Sequence, residues 1–157
     1  MIEKLFEFAD AMTMASGATY ELDYVIDWTA AGNQYLDMMN SGVSLWVVVT
    51  VNTVPAGTSL VVMAYQHTSA AVDDGDLLDT GDVRVVADIS ANAGSIQHIL
   101  YARELSGLMA TAMALTAKRY FGLAITADGD CSGGKVDAWL QVGKPKMPTT
   151  MVTTSNI

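Results

Sequence analysis

Apolar and polar residues alternate with a period of two along much of this chain. In Tyr20-Glu21-Leu22-Asp23-Tyr24-Val25-Ile26-Asp27, large apolar side chains hold the even positions and acids hold three of the four odd ones. Successive strand residues point to opposite faces, so this spacing predicts a strand with one buried and one wet face. Leu45 to Val51 is an apolar, mostly β-branched run and predicts a central strand. Pro55 and Gly57 mark a turn, and Leu60 to His67 predicts the next strand, so the two strands read as a hairpin. Ser69 to Asp82, rich in Asp, Gly and Ala, reads as a surface loop. Val83 to Asp88 predicts a short strand. Gln97 to Glu104 predicts another, with Ile99 and Tyr101 on one face and His98 and Leu100 on the other. Leu105 to Ala117 fits either a short helix or an irregular crossing. Its Leu, Met and Ala content favours helix; its thin patterning between two strands favours the crossing. Arg119 to Ala127 sets Phe121, Leu123 and Ile125 on one face. After a turn at Asp128 to Gly134, residues Lys135 to Val142 alternate Val136, Ala138, Leu140 and Val142 with Asp137, Trp139 and Gln141.

Strands at turn-separated intervals predict an all-β fold, an antiparallel β-sandwich or jelly roll over residues 16–143. The ends differ from this middle. Residues 1–15 place Phe6, Phe8, Met12 and Met14 at period two with no neighbouring hairpin turn. Residues 144–157 hold two prolines and several threonines without core spacing. Both read as extended arms. An apolar arm on a sandwich either adds a strand to its own sheet or straps a neighbour. Buried aromatics carry much of an interface's energy, so Phe6 and Phe8, with Met12, are the expected partner anchors. On the strap reading, removing residues 1–12 weakens attachment and leaves the core folded.

Charge narrows the partners. The chain has 8 basic and 17 acidic residues and a net charge of −9. A nucleic-acid binder needs a basic footprint to release counterions, and an anionic membrane repels an acidic chain. Neither partner is expected. Charged residues make up only 16%, so much of the surface is neutral or apolar and suited to cover by a partner. Cys131 is the single cysteine, so no internal disulfide forms. No apolar run reaches membrane-span length, and the N-terminus lacks the basic start of a signal peptide.

Candidate chemistry is thin. Asp73, Asp74 and Asp76 form an acidic loop, the kind of oxygen-rich segment calcium favours, but their spacing departs from the helix-loop-helix calcium pattern. A solvated loop is the plainer reading. Gly129-Asp130-Cys131-Ser132-Gly133-Gly134 is glycine-flanked like a protease nucleophile, with His67 or His98 as the base. The flanking residues do not match that motif, whose turn builds the oxyanion hole, so a tight turn is preferred. The histidines lack Cys/His partners at zinc spacing. No catalytic residue and no cofactor are expected. Trp46 and Trp139 lie opposite the apolar face of their strands. They fit a second buried face, a subunit contact, or a stacking platform for sugar.

Several segments together resemble one family. An N-terminal arm, MIEKLFEFADAMT, precedes Leu45-Trp46-Val47-Val48-Val49 and, after a Gly/Pro turn, Ser59-Leu60-Val61-Val62. Ile99-Leu100-Tyr101-Ala102-Arg103, Arg119-Tyr120-Phe121-Gly122-Leu123 and Val136-Asp137-Ala138-Trp139-Leu140 follow. This order is similar to that of the Bbp16-like capsid cement (decoration) proteins of tailed bacteriophages. The resemblance implies a jelly-roll virion protein on the outer capsid surface, made in the host cytoplasm. It also implies that the major capsid protein is its partner, that copies associate as dimer or trimer, and that there is no catalytic site. The rival expectation is a carbohydrate-binding β-sandwich of a phage tail or fibre.

Overall fold

A computed structural model of the chain describes residues 4–14, 19–30, 32–91, 98–129 and 133–146. Among these, the elements run β1 (Lys4–Thr13), β2 (Thr19–Glu21), β3 (Ile26–Asp27), α1 (Asn33–Asn40), β4 (Leu45–Thr53), β5 (Ser59–His67), β6 (Asp76–Thr80) and β7 (Arg84–Val85). Then come α2 (Val86–Ala91), β8 (His98–Glu104), α3 (Leu105–Ala114), β9 (Tyr120–Asp128) and β10 (Lys135–Val142). The strands form an all-β sandwich of two antiparallel sheets. Sheet A has the order β1-β10-β4-β8, and sheet B the order β2-β9-β5-β6, with β3 also on β9 and β7 also on β5.

Side-chain alternation explains the sandwich. Along β5, Leu60, Val62, Ala64 and Gln66 are buried while the intervening residues are half-exposed. Val47 and Val49 of β4, Phe121, Leu123 and Ile125 of β9, and Val136 and Leu140 of β10 fill the space between the sheets. Burying each such side chain contributes about 1.5–3 kcal/mol. β4 is buried on both faces over most of its length: Leu45, Val47, Val49 and Val51 face the core, and Val48 packs with Ile99 and Trp139 on the other side.

Several expectations change. β4 and β5 are not a hairpin: β4 pairs with β10 and β8, and β5 with β9, β6 and β7. The Pro55–Gly57 link therefore crosses from one sheet to the other, with Gly57 at φ +98°. In β8, Val49 faces Tyr101 and Thr50 faces Ile99, so Leu100 is a bulged extra residue. The bulge breaks the alternation. Leu100 and Tyr101 both reach the core, while Ile99 turns outward to join Val48 and Trp139. The strand expected at Val83 to Asp88 shrinks to Arg84–Val85 before α2 begins. Leu105 to Ala114 is a helix, because Leu105, Leu108, Met109 and Ala112 fall on one helical face and are buried. α1 lies in a stretch with no strand signal and docks Tyr35 into the core.

Of the two readings of the N-terminal arm, the structure matches the strand added to its own sheet and not the strap. Residues 4–13 form an edge strand of the chain's own sheet, paired with β10 from Lys4↔Gln141 to Thr13↔Lys135. Its outer edge is engaged too. Tyr24 N–H donates to the Phe8 carbonyl at 3.1 Å, and the Tyr35 hydroxyl donates to the Leu5 carbonyl at 3.1 Å. Removing residues 1–12 takes out part of the core and does not free a strap.

Gly122 on β9 is a close-packed point. A Cβ there would stand 2.7 Å from Val72 Cγ2 and 2.8 Å from Val25 Cγ1. Gly122→Ala should cost about 1–3 kcal/mol in urea unfolding. Gly107→Ala in α3, where a Cβ meets open space, should add about 1 kcal/mol. Equal unfolding midpoints for the two variants would contradict this packing.

Candidate functional site

The residues expected to touch a partner divide sharply. Phe8 is fully buried, with its ring 5.0 Å from Phe6 and 6.0 Å from Phe121 in edge-on contacts. Phe6 and Met12 pack against the same core and keep only part of their surface. The physical reason is the pairing of β1 with β10, which turns these side chains inward.

Trp139 does lie on the outer face of sheet A, yet only 2% of it is exposed. It packs with Val48 and Ile99, and its Nε1–H donates to Gln141 Oε1 at 2.8 Å. Lys4 Nζ sits 5.0 Å from its ring centre. Gln141 in turn donates to the Gly143 carbonyl at 3.0 Å, and Gly143 at φ +79° turns the chain. Lys144 Nζ then lies 5.7 Å over the half-buried ring of Trp46, and Pro145 is buried. Ammonium groups over indole faces are attractive, and they help close this side of the sandwich. Trp139 is thus sealed against a partner, whereas Trp46 keeps an accessible part. Lys144 thus lies on the chain's own sheet and Lys146 is exposed, and the remainder of the expected tail lies outside the described residues.

The acidic loop does not gather into a metal centre. Among the described residues no three His, Cys, Asp or Glu side chains converge on one point. Asp76 pairs with Lys118 at 2.9 Å and accepts from Gln66 Nε2 at 3.1 Å. Asp74 faces His67 Nε2 at 3.4 Å. The Asp73 N–H donates to Glu21 Oε1 at 3.0 Å, which ties the loop to β2. Burial, and then the hydrogen bond to the Asp73 carboxyl, push the Glu21 pKa up. Val72 beside them is fully buried over Gly122.

Hydrolytic chemistry through His67 fails on distance. His67 pairs with Tyr120 at one end of β9, while the glycine turn follows Asp128 at the other end. At 3.3 Å per residue the separation is roughly 26 Å. Cys131, Ser132 and the His98 side chain lie outside the described residues. A cavity of about 230 Å³ opens between β6, β8 and α3, lined by Leu78, Asp79, Arg103, Glu104 and Leu108 among others. Its polar side chains already have partners, Glu104 with Ser44 and Thr111 with the Gly107 carbonyl. Asp79 accepts from the Tyr101 hydroxyl at 2.8 Å and from Arg103 Nε at 3.0 Å. Burial, and then the charge of Asp79, hold the Tyr101 phenol far above its ordinary pKa.

The outer face of sheet B is different, and the residue-by-residue search for chemistry missed it. The alternation of β5 points Val61, Met63 and Tyr65 outward. Register places Thr126 beside Val61, Ala124 beside Met63, and Thr19 beside Thr126. Thr80 and Leu77 of β6 lie opposite Met63 and Tyr65, and Val85 lies opposite Ser59. Neutral contacts bind the surface together. Thr19 and Thr126 share a hydroxyl hydrogen bond at 2.7 Å, and the Met63 sulfur accepts from the Tyr65 hydroxyl at 3.6 Å. Nearby cations are already committed: Lys118 to Asp76, and Arg119 to Asp27 through two bonds at 3.0 and 2.9 Å. The period-two pattern of residues 60–67 carried the signal for this face.

Comparison with protein-family models gives no match, and comparison with curated proteins gives none either.

Trp139→Ala should lower folding stability by about 3–5 kcal/mol, a core-sized loss. Trp46→Ala should lose clearly less, as urea unfolding followed by circular dichroism would report. Similar losses would mean that the two rings are equally buried.

The Arg119 guanidinium, followed by Thr29, holds the Asp27 carboxyl well below the ordinary carboxylate range. The pKa is lowered by folding, so the stabilisation is present above pH 3.8 and is lost as pH falls below it. Arg119→Ala should move the Asp27 titration midpoint up toward 3.8 in carboxyl-detected NMR. An unmoved midpoint would remove Arg119 as the cause.

Proposed function

We propose that this chain is a capsid cement protein, a virion component that binds the outside of an icosahedral phage capsid and links neighbouring major capsid proteins. The observation that carries this reading is the neutral centre of the outer face of sheet B, Val61, Met63, Tyr65 and Thr126, on a chain of net charge −9 whose Glu21 and Asp128 stand at the edges of that face. Such a chain has acids enough to wet every exposed surface, and a β-patch with a neutral centre suits cover by another protein. The strand orders β1-β10-β4-β8 and β2-β9-β5-β6 support naming the sandwich a jelly roll. The chain crosses between sheets at most connections, as interlocked Greek keys require. The resemblance of the segment order to that of phage cement proteins points the same way.

A cement protein gains from repetition. Many modest contacts around a closed shell add up to firm attachment. Self-association as a dimer or trimer on a symmetry axis belongs to this reading, as does assembly onto the capsid after synthesis in the host cytoplasm. The carbohydrate-binding rival is weaker, because it needs an open aromatic platform and Trp139 is sealed.

The test is co-sedimentation of the full-length chain with shells of the major capsid protein of the phage carrying this sequence. The chain should pellet with the shells, and electron microscopy should show added density on their outer surface. A chain that stays in the supernatant at every ratio would overturn the proposal.

A further inference from the structure

We infer that the outer face of sheet B is the docking surface and that its occupant is a protein surface with a neutral centre and a lysine- or arginine-bearing rim. This rests on the cement reading and names the chemistry of the contact. The two outer faces of the sandwich are not equivalent. That of sheet A is occupied by the chain itself, with Lys4 over Trp139, Lys144 over Trp46 and Pro145 buried. That of sheet B is covered by Val72 and Val25 over Gly122, with Ala124 buried, and remains half-open along Val61, Met63 and Tyr65, with exposed Leu77 and Val85 at its edge. Met63 supplies an adaptable, polarisable contact, and Tyr65 a rigid aromatic one.

The rim decides between occupants. Glu21, Asp73 and the exposed Asp74 stand at one corner of this face, and exposed Asp128 at the opposite end, beside Ser59. Among the described residues the lysines with no ion pair, Lys135, Lys144 and Lys146, sit on or just beyond β10, in the other sheet. Two copies docked through this face would bring like-charged rims together. The Debye length at physiological salt is about 8 Å, so rim charges brought into contact repel. A partner with basic groups at the same spacing turns that repulsion into steering and register. The neutral centre then desolvates without leaving a carboxylate buried and unpaired.

The experiment compares full-length wild type with Met63→Asp, Val61→Asp and Lys135→Gln in co-sedimentation with major capsid protein shells. Each substitution lowers the net charge by one, so only position distinguishes them. Folding of each variant is checked by circular dichroism, and wild type alone is weighed by sedimentation equilibrium. Wild-type binding that weakens at least tenfold in either Asp variant, but not in Lys135→Gln, supports the inference. Fading of wild-type binding as salt rises would support the basic rim; salt-independent binding would overturn that part. Wild-type binding unchanged in both Asp variants overturns the inference and leaves the cement reading standing. Self-association of wild type that Met63→Asp abolishes makes the occupant a second copy and also overturns it. No binding by wild type removes the cement reading, and the inference falls with it.

Discussion

Phe8 packs against Phe121 with ring centres 6.0 Å apart, and through that contact the first strand of sheet A is fastened to the central β9 of sheet B. Phe6 and Tyr35 extend the contact toward α1, and Trp28 extends it on the far side of Phe121. A two-layer sandwich exists only while each sheet covers the apolar side of the other. The crossings from sheet to sheet, the inward turn of β1 and the placement of α1 all serve that one requirement. What remains for a partner is whatever the core and the side chains laid over the sheets do not claim.

Strand identity was readable from residue type, although burial alternates strictly only along residues 60–67. Residues 121–125 are buried throughout and 136–140 nearly so, and the continuous run at 45–51 proved to be a strand with a neighbour on each side. Periodicity tells which side of a strand is apolar but not which sheet it joins. Hence β4 and β5, close in sequence and separated by a Pro/Gly turn, looked like a hairpin although they lie in different sheets. The alternation of Phe6 and Phe8 was equally visible, but without an adjacent turn nothing in the local sequence indicated that their partner strand would be β10, more than a hundred residues later. The bulge at Leu100 shifts the phase by one residue, which no regular repeat can reveal.

The candidate surface was readable only in part. The outward positions of β5 follow from its alternation, but their joining with Thr19, Thr126 and Leu77 requires the register of four strands. Tryptophan misled for the opposite reason. Trp139 faces outward as its position demands, but Val48, Ile99, Lys4 and the Gln141–Gly143 turn close around it. An outward residue and an accessible residue are different things once distant segments are laid on top.

The closure of the outer edge of β1 bears on how such a molecule behaves when crowded. An open edge strand offers a row of unfilled carbonyls and amides that recruits further strands, and growth by that route has no natural end. Here the Leu5 and Phe8 carbonyls are held by Tyr35 and Tyr24. The lateral route to fibrils is blunted along that border, because a strand added there would have to displace both contacts.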